Sequence, residues 1–177
     1  MTTDDLAGYT ALALTPGIGP ARLRTLLDAT ESPDGALSAP FAFLCSLPGF
    51  SRAAATAVQN ARREDGERTL VAAAAAGSTV LAPFDRRYPA LLREIPDPPP
   101  ILFAAGNLAL LDRPAVAIVG SRDHSAYGAQ VCSAVAGRAS ALGLVVVSGM
   151  ARGLDALAHA AALDAALLDA ALLDAIL

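Results

Sequence analysis

Two strand–turn–helix patterns follow one another in the second half of the chain, and they constrain its fold more than any other feature. The segment AIVGSRDHSAYG occupies residues 117–128, and LVVVSGMARGLDALAH occupies residues 144–159. Each pattern predicts a short apolar strand, a turn of small residues and the start of a helix. Parallel strands joined by a helix bring both turns to one edge of a sheet, where open α/β sheets bind ligands. The sequence therefore predicts an α/β fold with a candidate site at that edge.

The strands of this βαβ pattern are expected to be buried on both faces, because residues 115–119 and 144–147 are almost entirely apolar. Two further short strands are predicted at residues 78–82 and 101–104. The helix between the two main strands is predicted to bury a stripe at helical spacing, formed by Tyr127, Val131, Ala134, Val135, Ala139 and Leu142.

Residues 4–66 are predicted to be helical and contain two turns of similar sequence. The first is PGIG, which includes Gly17 and Gly19, and the second is PGF at residues 48–50. The order of a helix, a proline–glycine turn and a second helix is typical of helix-hairpin-helix units, in which glycine supplies the positive φ of the turn. The first turn is a candidate for main-chain contact with a DNA phosphate, and the alternative is a purely structural hairpin.

The end of the chain, residues 161–177, repeats a Leu-Asp-Ala-Ala-Leu pattern every five residues. Five residues advance a helix by roughly 500°, so successive repeats face different directions and share no apolar face. We predict a helical tail here and interpret the repeat as a sign of truncation or a shifted reading frame. The predicted domains are a helical domain at residues 1–70, a partial sheet domain at 71–163 and the tail at 164–177.

Composition narrows the classes of function. The net charge is −4 and all 13 basic residues are arginine, so a phosphate site would use arginine, main-chain N–H groups or hydroxyls. Cys45 and Cys132 lack the spacing of a metal or CxxC site. The acidic N-terminus does not resemble a signal peptide, and the apolar runs do not resemble a membrane span. We predict a cytoplasmic protein with no metal, cofactor or membrane partner.

The first turn of the βαβ pattern, Gly120-Ser121-Arg122, is a candidate phosphate site. Main-chain N–H groups between a strand and a helix attract anions, and Ser121 and Arg122 add a hydroxyl and a guanidinium. The alternative is an ordinary turn that carries a surface arginine. A dinucleotide fingerprint is excluded, because it would require glycine in place of Arg122 and Ser125 and an acid after the next strand.

The second turn adds a further candidate anion site, formed by Ser148, Gly149, Arg152 and Gly153. Its small residues would let a ligand approach the main chain, and the alternative is close helix–strand packing alone.

On the following helix, Asp155 and His159 are four residues apart and share a face on which they could pair. No nucleophile or metal ligand accompanies them. We interpret them, together with Tyr127, as cleft-lining or structural residues.

These motifs resemble the DprA/Smf family, the DNA-processing proteins of bacterial transformation. The resemblance extends from about residue 77 to 163, and the N-terminal helices are less specifically similar to that family's sterile-alpha-motif-like domain. It rests on Asp85, Tyr88-Pro89, Leu92, Ile95-Pro96-Asp97-Pro98-Pro99, Leu102, Gly106-Asn107, residues 117–122, Ser125, Tyr127-Gly128, Ser148-Gly149, Ala151, Gly153, Asp155 and Ala158-His159.

The resemblance implies an incomplete Rossmann-like parallel sheet preceded by a small all-helical domain, and a protein that binds single-stranded DNA rather than an enzyme. The family's phosphate-binding Gly-Ser-Arg matches residues 120–122, and its Ser-Gly turn matches Ser148 and Gly149, with Gly153 following. It also implies homodimers and loading of RecA. In the family, elements beyond Leu163 supply much of the dimer surface, and the tail in their place weakens both of those expectations.

Two other functions compete with this one. The two turns also resemble nucleotide-binding enzymes of the nucleoside-monophosphate phosphoribohydrolase type, although residues 148–153 lack the triple-glycine run of those enzymes. A helical-hairpin module with an unfolded remainder is the third interpretation.

Overall fold

The chain folds into two compact units. The structure is a computed structural model that describes residues 5–174, with side chains described for residues 5–167. We call Met1–Asp112 the helical unit and Arg113–Leu177 the βαβ unit. The division lies at residue 112, whereas the sequence placed a domain boundary at residue 70. The difference arises because the first two strands pack with the helices. The predicted α/β class, with helices preceding a short parallel sheet, is confirmed.

Local chemistry sets the helix boundaries of the helical unit. Pro20 and Pro33 stand in the first turns of their helices, where the missing N–H is not needed. Ser51 caps a later helix by accepting a hydrogen bond from the N–H of Ala54 at 3.2 Å. The helices are α1 (Leu6–Ala13), α2 (Pro20–Thr30), α3 (Pro33–Leu37), α4 (Phe41–Ser46), α5 (Arg52–Asn60) and α6 (Arg63–Ala75).

The core of the helical unit is formed by side chains from several short helices. Leu12, Leu26, Leu44 and Val58 are fully buried and lie in one cluster. Because each helix is short, its stability depends on this shared apolar contact rather than on its own propensity.

The two hairpin turns of the helical unit are tied together by one guanidinium. Gly17 and Gly49 occupy equivalent turn positions with φ of 82° and 77°, which favour glycine. Arg22 donates from Nε to the Gly49 carbonyl and from Nη1 to the Gly17 carbonyl, each at 2.7 Å. Gly19 precedes α2 in an extended conformation. The predicted pair of hairpins is therefore present, and Arg22 holds their turns side by side.

The two short strands predicted after α6 are also present. β1 (Ser78–Leu81) pairs antiparallel with β2 (Leu102–Ala105), and α7 (Ala90–Arg93) lies in the connection between them. A short 3₁₀ helix, Leu108–Asp112, follows β2. Ala82, directly after β1, belongs to the buried cluster of the helical unit. This contact explains why the strands group with the helices.

The βαβ unit contains β3 (Ala115–Ala117), α8 (Ala126–Ala141), β4 (Val145–Val147) and α9 (Leu154–Asp174). β3 and β4 are parallel, with Val116 opposite Val146. Ser125 caps α8 by accepting a hydrogen bond from the N–H of Gly128 at 3.1 Å. Residues 164–174 of the predicted helical tail continue α9, and residues 175–177 lie outside the described part of the chain. In the described range, none of the helices combines the length and apolarity needed to cross a bilayer.

One face of the parallel pair is covered and the other is open. Ile118 and Val146 pack beneath α8 and α9. On the opposite face, Val119 and Val147 expose 79% and 50% of their surface. The expectation of strands buried on both faces is therefore wrong. A strand is buried on both faces only when elements cover both of them, and among the described residues α8 and α9 cover one.

The stripe predicted for α8 is also wrong, except at Ala139. Tyr127, Val135 and Leu142 are exposed. The face that packs against α9 is instead formed by Cys132, Ala136 and Ala139. Small side chains let the two helix backbones approach closely, so the contact follows the alanines rather than the bulkier residues.

This close approach predicts a strong size limit at Ala136, which is fully buried. Replacing it with leucine should force α8 and α9 apart and cost about 1–3 kcal/mol of unfolding free energy. Ala134→Leu, at an exposed position of the same helix, should stay within about 0.5 kcal/mol of the parent. Urea denaturation followed by circular dichroism measures both, and equal effects would refute the described contact.

Arg22 offers a second prediction. Arg22→Ala should destabilise the helical unit by about 1–2 kcal/mol, because two turn carbonyls lose a charged donor. Arg24→Ala is the matched control, since its exposed side chain has no partner among the described residues. Thermal denaturation compares the two variants, and a control that loses as much stability would show that the bridge is unimportant.

Candidate functional site

The two turns singled out in the sequence lie together in the βαβ unit. The first turn, residues 120–122, follows β3, and the second turn, residues 148–153, follows β4. They are in direct contact, because the N–H of Leu154 donates to the carbonyl of Ser121 at 3.1 Å. The sequence placed both turns at one sheet edge, and the structure brings them together there.

Two glycines of these turns are explained by this contact. Gly153 has φ of 89°, and a Cβ there would lie 2.5 Å from the Ser121 carbonyl oxygen and 2.6 Å from Arg122 Cα. A Cβ at Gly120 would lie 2.9 Å from Leu154 Cβ. The sequence left two explanations open for the small residues of the second turn, the approach of a ligand and close packing, and Gly153 packs closely on the first turn.

The carboxylate of Asp155 fills the main-chain pocket between the turns. Asp155 lies in the first turn of α9 and is only 4% exposed. It accepts hydrogen bonds from the N–H groups of Gly120 at 3.3 Å, Gly149 at 3.1 Å and Ala151 at 3.5 Å. Two of the amides predicted to receive a phosphate, those of Gly120 and Gly149, thus already donate to a carboxylate within the chain.

These hydrogen bonds also set the charge state of Asp155. Burial by itself would raise the pKa of this carboxyl group. The main-chain donors of Gly120, Ala151 and Gly149, together with the neighbouring Ser148 hydroxyl, outweigh burial and hold the pKa below its ordinary value of 3.8. Asp155 is therefore a carboxylate at neutral pH, and a negative charge permanently occupies the pocket.

The hydroxyl of Ser121 is used within its own turn. Its Oγ donates to the Asp123 carbonyl at 2.7 Å and accepts from the Asp123 N–H at 3.1 Å. The first turn also does not open α8 as expected, because that helix begins at Ala126 behind its Ser125 cap. The helix dipole falls off within one turn, so it adds little at residues 120–122.

Arginine side chains form the outer rim of the site. Arg122 is exposed, and neither its guanidinium nor its N–H has a partner among the described residues. Arg152 lies 3.7 Å from Asp123, with the two side chains 75% and 90% exposed. An ion pair this exposed contributes little and exchanges readily. Both arginines are consequently available to a ligand phosphate.

Met150 is a feature of the second turn that sequence reasoning missed. It has φ of 55° although it is not glycine, and its side chain is 83% exposed. The conformation follows from its neighbours, because Gly149 and Ala151 both turn their N–H groups toward Asp155. Met150 is thereby held outward, with its own N–H unpartnered among the described residues.

The remaining candidate residues differ in their burial and hydrogen bonding. Ser148 Oγ is shielded from solvent beside Asp155, without a hydrogen bond of standard geometry. His159 Nε2 is shielded and has no partner in the described part of the chain, and Asp155 makes its hydrogen bonds to the turns rather than to His159. Tyr127 is exposed at the start of α8.

Gly17 and Gly19 belong to the helical unit, and their contact with DNA stays a prediction.

The described residues do not form a site for a metal ion: among them, no three histidine, cysteine or acidic side chains cluster as ligands. Cys45 and Cys132 are both free thiols, and Cys132 lies under α9 with its Sγ 3.3 Å from the Leu154 carbonyl.

The lowered pKa of Asp155 predicts a specific acid sensitivity. Its contribution to stability is complete above pH 3.8, the ordinary value, and is lost as pH falls through the lower folded-state pKa. Asp155→Asn should lower Tm at pH 7 by several degrees and should lose less further stability on acidification. Asp85, whose pKa is lowered by the Arg87 hydrogen bond, keeps its acid dependence in both proteins. If Tm fell with pH equally in the parent and in Asp155→Asn, the hydrogen bonds assigned to the Asp155 carboxylate would be contradicted.

Comparisons with known proteins identify the family to which the chain is similar. The sequence model of a family described as DNA recombination-mediator protein A matches residues 79–175, which includes both turns and Asp155. The chain is 38% identical over 97 residues to DNA processing protein DprA of Bacillus subtilis (strain 168), covering 54% of this chain and 33% of that protein. It is 30% identical over 168 residues to Protein Smf of Synechocystis, covering 92% and 42% respectively.

A solved structure extends the likeness to the fold. The X-ray structure of DNA processing protein A from Streptococcus pneumoniae matches with a TM-score of 0.69 and 28% identity, covering 89% of this chain and 54% of that one. The chain thus spans well under two thirds of the length of these relatives. Because the family match covers more than half of the sequence, the chain belongs to the DNA recombination-mediator protein A family, which is the DprA/Smf family.

Proposed function

We propose that this chain binds single-stranded DNA along the rim of the two turns and serves DNA processing in recombination. The observation that carries the proposal is Arg122, whose guanidinium and N–H are both without a partner in the described part of the chain. Unpaired arginine beside a free amide is a suitable donor set for a phosphate. The names of the matched relatives, DNA processing proteins, support nucleic acid as the ligand.

The binding mode differs from the one expected from the sequence. The N–H groups of Gly120 and Gly149 are occupied by Asp155, so phosphates contact the rim instead of entering between the turns. Arg122 binds one phosphate, and Arg152 exchanges its exposed contact with Asp123 for another. Neither contact reads a base, and binding is therefore largely independent of sequence and weakened by salt.

Exposed apolar side chains near the rim provide contacts for bases. Tyr127 is 76% exposed and Met150 is 83% exposed. Single-stranded nucleic acid is commonly held by stacking on such surfaces combined with cationic contacts to the backbone. Tyr127 and Met150 thus complement Arg122 and Arg152, and the four side chains favour a single strand over a duplex, whose bases are already stacked.

RecA and a second copy of the chain are proposed as further partners on the basis of the family alone. The matched relatives extend well beyond the length of this chain. We also propose a binding protein rather than an enzyme. The second turn lacks the triple glycine of nucleotide hydrolases, and the anion pocket is filled by Asp155.

Arg122→Ala tests the proposed interface. We expect roughly tenfold weaker binding to single strands of different sequence. The log–log salt slope should become shallower by about 0.7, because one phosphate of the strand is no longer neutralised. Arg138→Ala is the matched control, because Arg138 is an exposed arginine near the other end of α8 and has no partner among the residues that the structure describes. Fluorescence anisotropy with labelled oligonucleotides measures both variants. Unchanged affinity for Arg122→Ala, or equal losses in the two variants, would reject the proposed site.

A further inference from the structure

We propose that Asp155 is the resident anion of the pocket between the turns: it positions the two turns and keeps oxyanions, including nucleic-acid phosphates, out of that pocket. The part that concerns nucleic acid rests on the proposed function, whereas the occupation of the pocket does not. Asp155 would thus be a positioning residue for Arg122 and Arg152, which contact the ligand in its place.

The first support comes from the donors around the carboxylate. Oδ1 accepts from Gly120 in the first turn, while Oδ2 accepts from Gly149 and Ala151 in the second. Each oxygen therefore binds a different turn, and the carboxylate links the ends of β3 and β4. Two oxygens that receive main-chain N–H groups from two turns reproduce the coordination that these turns would offer a phosphate.

The carboxylate itself occupies the place between the main-chain donors, close to the backbone of the second turn. Asp155 is 4% exposed, and a Cβ on Gly149 would lie 2.9 Å from its Oδ2. An oxyanion that entered the pocket would have to displace the carboxylate and leave it without its donors, which is unfavourable for a buried charge. Exclusion of external anions is thus a consequence of packing as well as of charge.

The same contacts explain the geometry of the rim. Because Gly149 and Ala151 direct their N–H groups inward, Met150 is forced into the left-handed region with φ of 55°. Because Gly153 packs on Ser121 and Arg122, the second turn fixes the backbone from which the Arg122 side chain projects. Removal of the carboxylate would free the amides and loosen both turns.

Asp155→Ala with inorganic phosphate as the probe tests the proposal directly. The variant should melt several degrees below the parent in chloride, and phosphate at equal ionic strength should restore part of the loss in a saturable way, because the emptied amides bind it. Asp164→Ala is the control, since Asp164 is exposed on the same helix. Parent and control should show only the small rise that phosphate gives to any folded protein.

Rescue that is no larger in Asp155→Ala than in Asp164→Ala would overturn the proposal. If Asp155→Ala does not fold, amide hydrogen exchange in the parent protein decides. The N–H groups of Gly120 and Gly149 should be strongly protected and that of Arg122 should exchange fast; equal fast exchange at all three would refute the occupied pocket. Phosphate rescue together with no binding of single-stranded DNA would remove the proposed function and leave the role of Asp155 intact.

Discussion

A buried carboxylate held by main-chain N–H groups from two turns is the interaction on which the βαβ unit depends. The parallel pair is short, and without this link the ends of β3 and β4 would be joined mainly by their few ladder hydrogen bonds. Asp155 closes the gap at the end of the sheet where ligands usually bind. The outward position of Met150, between two residues whose N–H groups face Asp155, is consistent with that closure.

Much of the fold was predictable because its determinants are local. Apolar runs indicated the strands, and the proline–glycine pairs indicated the hairpins. Exposure was predicted less well. A run such as residues 115–119 is the same whether one face or both are covered, since burial depends on elements distant in sequence. The face of α8 was misjudged for a related reason: alanines, not bulky residues, define a close helix contact.

In the candidate site, too, local features were predictable and contacts between distant residues were not. The sequence identified both turns and placed them together, because parallel strands with a helical connection require it. It also singled out Asp155 as a cleft-lining or structural residue, but it did not reveal that the carboxylate reaches Gly120 in the other turn. That contact joins residues far apart in the chain and depends on how α9 packs on the first turn. The main-chain N–H groups predicted to bind a phosphate are the ones that bind the Asp155 carboxylate. The sequence therefore predicted that these turns bind an anion, but it did not predict that the anion is a side chain of the same unit.

The most direct test of this account is an amide chemical-shift titration of the labelled parent protein with a single-stranded oligonucleotide. The account predicts that the N–H resonances of Arg122 and Met150 move progressively, while those of Gly120 and Gly149 stay in place because Asp155 keeps their hydrogen bonds. Large shifts at Gly120 and Gly149 on addition of the oligonucleotide would contradict it, since they would show that the phosphates enter the pocket and replace the carboxylate.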